Sequence, residues 1–181
     1  MHIMLTNDDG IQALGIRTLA RVLSDAGHKV SVCAPDRERS AASHSITLRR
    51  ALTAEKVEFP CAEIAYAADG TPADCARLGL YLIPNVDLVI SGINNGSNLG
   101  GACVYSGTVG AAMEAAMSGM PALATSLGAF DQTDYVPAAR VTLKVAEWMM
   151  DHPLGRGEFY NLNVPAVPYD QIQGVIAAPL A

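Results

Sequence analysis

Apolar residues come along this chain in short blocks separated by polar, glycine-rich turns. The block His2–Thr6 has the length of a strand buried on both faces, and residues 16–23 then space their apolar side chains as one helix face does, with Gly27 as the stop. Residues 28–34 read as a second strand, ended by Pro35. Strand, helix and strand in that order make a βαβ unit, which predicts a parallel sheet with a right-handed crossover.

The same alternation continues without sequence repetition. It predicts a strand at 62–67, a helix opened by Thr71-Pro72, a strand at 86–90 and a small-residue helix over 108–118. A strand at 122–125, a helix over 138–150 and a strand at 159–164 follow, while 46–57 reads as irregular with some strand. No linker, repeat or low-complexity tract interrupts residues 1–181. The expected fold is one α/β domain: a three-layer, doubly wound, Rossmann-like and mostly parallel sheet.

In such sheets ligands bind at the carboxyl ends of the strands, where strand order reverses. The polar clusters of this chain fall there: NDDG after the first strand, PDRERSAASHS after the second, DGTPAD after the third and SGINNGSNLGG after the fourth. Asp8 and Asp9 are adjacent carboxylates, which repel each other and resist burial, so they stay together only in water or against a cation. One could cap the next helix while the other is solvated; a metal site accounts for both. Asn94 and its neighbours offer uncharged oxygens to a hard cation, or Asx-turns to the loop. Ser106-Gly107-Thr108 opens a helix, where a serine cap and an anion site coexist naturally. His44, a candidate general acid, and Asp74, a helix-dipole charge or a functional acid, each keep a structural alternative. The all-oxygen character of the set points to Mg²⁺ or Mn²⁺ before Zn²⁺.

Composition narrows the partners. A net charge of −6 and a pI near 5.1 argue against a surface for nucleic-acid polymers, so a small ligand is expected. Arg37, Arg39, Arg49 and Arg50 are the one basic cluster, either a solvated face or an attraction for an anionic substrate. The four cysteines form no C-x-x-C pair and read as reduced packing residues. No secretory signal pattern and no apolar run near the ~18 residues of a membrane span is present, so a cytoplasmic location without membrane contact is expected. The phosphate loop G-x-x-x-x-G-K-[ST], the dinucleotide fingerprint G-x-G-x-x-G and the serine elbow G-x-S-x-G are all absent.

Thr6-Asn7-Asp8-Asp9-Gly10, Ala34-Pro35-Asp36-Arg37, Gly70-Thr71-Pro72-Ala73-Asp74-Cys75, Ser91-Gly92-Ile93-Asn94 and Tyr105-Ser106-Gly107-Thr108 together resemble the SurE family of survival protein E nucleotidases. The resemblance runs in order to Asn161-Leu162-Asn163-Val164-Pro165. It implies a metal-dependent phosphomonoesterase acting on nucleoside 5′- and 3′-monophosphates. It also implies one divalent ion per subunit, Mg²⁺ or Mn²⁺, held by Asp8, Asp9, Ser40 and Asn94. Asn98, Ser106, Gly107 and Thr108 would surround the phosphate. The expected nucleophile is a metal-activated water, with Asp8 or Asp9 accepting its proton; the D-x-D spacing of aspartyl-phosphate enzymes is not met by Asp8-Asp9.

Two departures accompany the resemblance. Gly101-Ala102-Cys103 stand where many relatives carry acidic residues, and the sequence stops at Ala181, where relatives continue into a hairpin and arm. The expectation is therefore a nucleotidase core without that arm, forming at least a dimer to cover apolar surface. The alternative is a phosphate- or nucleotide-binding remnant with little turnover.

Overall fold

The structure, a computed structural model, describes residues 1–130 and 134–179. Strand β1 (His2–Thr6) is buried along its whole length and takes the centre of the sheet. It pairs in parallel with β2 (Lys29–Pro35) on one side and β5 (Leu88–Asn95) on the other. Beyond β2 lie β4 (Ile64–Ala68), parallel, and β3 (Ala54–Lys56), the antiparallel edge strand. Beyond β5 lie β6 (Ala122–Leu127) and β7 (Tyr160–Val164), both parallel. The order β3-β4-β2-β1-β5-β6-β7 winds outward from β1 in two directions. A crevice therefore opens between the ends of β1 and β5.

Successive strand residues point to opposite faces, and the two faces differ in kind. Ile3, Leu5, Val30, Val32, Leu88, Ile90 and Leu123 form one core with α1 (Leu14–Asp25) and α4 (Val136–Asp151). On the other face Met4, Cys33, Val89 and Ala124 meet Cys75 of α2 (Pro72–Leu82) and Ala112, Ala115 and Ala116 of α3 (Gly107–Met117). Small side chains on this second face let α2 and α3 lie close to the sheet.

Local chemistry fixes the helix ends. Thr71 and Asp74 form a reciprocal capping box at the start of α2, with Pro72 in its first turn. Ser106 caps α3 by accepting from the Val109 amide at 3.1 Å. Both starts follow the sequence signals, and so does the stop of α1, with Gly27 at φ +84°.

The differences lie where polar residues disguise regular backbone. The strand expected at 86–90 runs as Leu88–Asn95, because Asn94 and Asn95 pair with Ser126 and Leu127 after a register shift beyond Ser91. Within 46–57 only β3 is strand. No helix among the described residues is long and apolar enough to cross a membrane.

Candidate active site

The turn after β1 is closed by Asn7, whose Nδ2 donates to the Gly10 carbonyl at 2.8 Å. Gly10 sits at φ +94°, and a β-carbon there would lie 2.9 Å from the Arg37 carbonyl carbon, so only glycine fits this turn. The turn aims Asp8 at the start of α3, where the Thr108 hydroxyl donates to Oδ1 and the Thr108 amide donates to Oδ2 at 3.2 Å. Asp8 is only 5% exposed. A carboxylate at a helix N-terminus is stabilised by unpaired amides and by the helix dipole. Asp9, partly buried, accepts a long 3.4 Å bond from the Asn95 amide of β5.

These two carboxyls are strained electrostatically. Burial pushes the Asp8 carboxyl above its ordinary range, and the Thr108 bonds offset only part of that rise. Asp9 is pushed up to about 6, first by burial and then by the charge of Asp8. Glu38, in the loop after β2, adds repulsion to both. Its carboxylate also accepts from the Ser40 hydroxyl at 2.6 Å.

A cleft of about 380 Å³ opens over this cluster. Asp8, Asp9, Ser40 and Asn94, the four expected metal ligands, all line it, as do Asn98 and Ser106 of the expected phosphate group. Gly107 and Thr108 stand behind that lining in the first turn of α3, and both Thr108 donors are committed to Asp8. The Asn98 side chain donates through Nδ2 to the Ser126 hydroxyl at 2.8 Å. Asn94 donates to the Gly96 carbonyl at 2.7 Å, which leaves its amide oxygen available to a cation. Asn95 also lines the cleft, and its buried Oδ1 has no hydrogen-bond partner among the described residues. Two carboxylates above their ordinary pKa, a hydroxyl, an amide oxygen and an unsatisfied buried oxygen fit a hard divalent cation.

Several participants were not legible in the sequence reading. Glu38, which no motif singles out, is exposed and adds its charge to the Asp8–Asp9 cluster. Asn161 and Asn163 of β7 donate to the Asn98 carbonyl at 2.9 and 3.0 Å, and Asn163 Oδ1 accepts from the Asn98 amide at 2.8 Å. Two asparagines flanking a buried Leu162 in the middle of β7 are the available signal. His44, offered as a general acid or a surface residue, is partly buried and pairs through Nε2 with Glu114 Oε2 of α3 at 2.7 Å. Asp74 is the capping-box residue of α2; burial opposes its charge, but bonds from Thr47 and Thr71 outweigh that and hold its carboxyl below the usual range. Of the basic cluster, Arg39 pairs with Asp36 and Arg50 with Asp69. All four cysteines are free thiols.

The sequence matches the family model described as survival protein SurE over residues 3–181. A Synechococcus sp. (strain JA-3-3Ab) protein named 5′-nucleotidase SurE is 46% identical, the alignment covering 100% of this chain and 72% of that protein. A Carboxydothermus hydrogenoformans protein of the same name is 44% identical, with 97% of this chain and 69% of the relative covered. The crystal structure of SurE protein from Aquifex aeolicus superimposes with a TM-score of 0.87 at 35% identity, covering 97% of this chain and 71% of that one.

Proposed function

The chain belongs to the SurE family, and from that membership we propose that it is a 5′-nucleotidase that uses one divalent ion, Mg²⁺ or Mn²⁺, and also accepts nucleoside 3′-monophosphates. The observation that carries the metal dependence is the convergence of Asp8 and Asp9 on one cleft with both carboxyls above their ordinary range. Such an arrangement costs stability unless a cation neutralises it.

Asp8, Asp9, Ser40 and Asn94 would hold the ion. When bound, it would supply charge neutralisation at the phosphoryl group and activation of the attacking water. Thr108 fixes the orientation of Asp8 from both of its carboxylate oxygens. Asp9 lacks such a clamp, which leaves its carboxylate free to accept the proton of the attacking water. Asn98 and Ser106 line the cleft and would meet phosphate oxygens, and the first turn of α3 behind them would add the positive end of its dipole. A binding remnant with little turnover has no observation in its favour, since the carboxylate cluster and its Thr108 clamp are in place.

Phosphate release from a panel of nucleoside monophosphates with Mn²⁺ or Mg²⁺ tests this reading. Release should vanish with chelator and fall by at least about a thousandfold in Asp8→Asn. Chelator-resistant release would refute the metal dependence, and release unchanged in Asp8→Asn would refute the assignment of the site. A second copy of the chain is a further expected partner: Val175 and Ile176 are 60% and 89% exposed. Light scattering should show at least a dimer, and a clean monomer would refute that assembly.

A further inference from the structure

We propose that Tyr105 and Phe130 form a nucleobase-stacking rim on the outer side of the carboxylate cleft, so that the base is held by aromatic faces rather than by a pattern of hydrogen bonds. The proposal rests on the nucleotidase reading and names the part of the substrate which that reading leaves unplaced. Both residues line the same cleft as Asp8 and Asp9. They are 67% and 72% exposed, whereas Asp8 is 5% exposed. The cleft thus holds a buried Asp8 and a partly buried Asp9, with bare aromatic surface at Tyr105 and Phe130 on the same lining. A nucleotide grades from a charged phosphate through a sugar to a flat apolar base.

The backbone around the rim is fixed while the rings stay open. The Tyr105 amide donates to the Ala102 carbonyl at 3.1 Å, and its carbonyl accepts from the Ser43 amide at 3.0 Å. The Phe130 ring lies against Gly96, where an added β-carbon would collide with the ring edge. Gly96 therefore seats the ring at the end of the segment that carries Asn94 and Asn95. Large aromatic surface exposed at a cleft mouth is costly in water and is favourable against a flat ligand. Stacking of this kind tolerates any base, because every base has a π-face. The rim therefore assigns broad base specificity to the enzyme.

The test uses the whole chain and two substrates, AMP and the baseless ribose 5-phosphate, each assayed for phosphate release with Mn²⁺. Phe130→Ala and Tyr105→Ala should each lower kcat/KM for AMP by about 5- to 150-fold, chiefly through KM. Ribose 5-phosphate should be hydrolysed equally by all three proteins, and Tyr105→Phe should behave as wild type. Equal losses on both substrates, or no loss on either, overturn the stacking rim. Adenosine binding, followed through the ring resonances of Tyr105 and Phe130, separates the two readings. Shifted rings without phosphate release from either substrate would keep the rim and refute the nucleotidase; release with unshifted rings would do the reverse.

Discussion

Replacing Asp9 by Asn should make the metal-free protein more stable at neutral pH while destroying its function. The carboxyl of Asp9 is pushed from 3.8 to about 6, by burial and then by Asp8. Each pKa unit corresponds to about 1.4 kcal/mol, so a shift of roughly two units sets an upper figure of about 3 kcal/mol. Solvent screening of this partly exposed side chain reduces it to about 2 kcal/mol. The sign follows from proton uptake. Between pH 3.8 and about 6 the folded state binds more protons at Asp9 than the unfolded chain does, so this group removes stability as pH rises through that window. Below the window Asp9 is neutral in both states and its contribution vanishes. Asn keeps an oxygen to accept from the Asn95 amide and carries no charge.

Thermal unfolding in chelator at pH 8 should therefore show Asp9→Asn melting about 4–8 °C above wild type, and the gap should close near pH 4. Adding Mn²⁺ should raise the melting temperature of wild type more than that of the variant, which lacks one carboxylate of the proposed ion site. A variant no more stable than wild type at pH 8, or equally stabilised at pH 4 and pH 8, would refute the claim that Asp9 is held against its own charge.

Thr108→Val removes the hydroxyl bond to Asp8 but keeps the amide bond; the loss of about 1.5–3 kcal/mol on a charged acceptor should appear as a ten- to hundredfold fall in kcat/KM and weaker metal binding by calorimetry. Glu114→Gln weakens the pair with His44 that ties the Ser40 loop to α3, and urea unfolding should show a cost of about 1–3 kcal/mol with faster hydrogen exchange over 40–45. Gly110→Ala gains helix propensity, yet its β-carbon would collide with the Ser43 carbonyl, so denaturation should show a net loss of about 1–3 kcal/mol instead of a gain.

The fold was legible wherever chemistry and periodicity coincided. Thr71-Pro72 and Ser106 marked helix starts because their caps are local, and the block His2–Thr6 marked the central strand because Ile3-Met4-Leu5 is an unbroken apolar run, as burial on both faces requires. The extension of β5 to Asn95 was not legible, since Ser91, Asn94 and Asn95 have loop composition and their strand geometry comes from pairing with β6. The site shows the same division. Asp8 and Asp9 declared themselves as an adjacent pair that water or a cation must stabilise. Glu38 acquires its role only when the loop after β2 meets Asp8 and Asp9, the Asn161–Asn163 brace only when β7 meets the segment of Asn98, and His44 needed a Glu114 that lies 70 residues away.

The small-residue layer connects these two levels. For the Thr108 amide to reach Asp8 at 3.2 Å, the first turn of α3 must approach the end of β1, and Gly107 stands where a β-carbon would lie 2.9 Å from that of Asp8. Alanines 112, 115 and 116 keep the rest of α3 equally near the sheet. Larger apolar residues on that face would bury more area and, by the usual reckoning of about 25 cal/mol per Å², would offer more stability. They would also lift the helix away from β1, separate Thr108 from Asp8 and leave a buried carboxylate without its donors. The thin layer is therefore part of the site's chemistry: it gives up hydrophobic stabilisation to bring a helix N-terminus against a carboxylate that the fold otherwise disfavours.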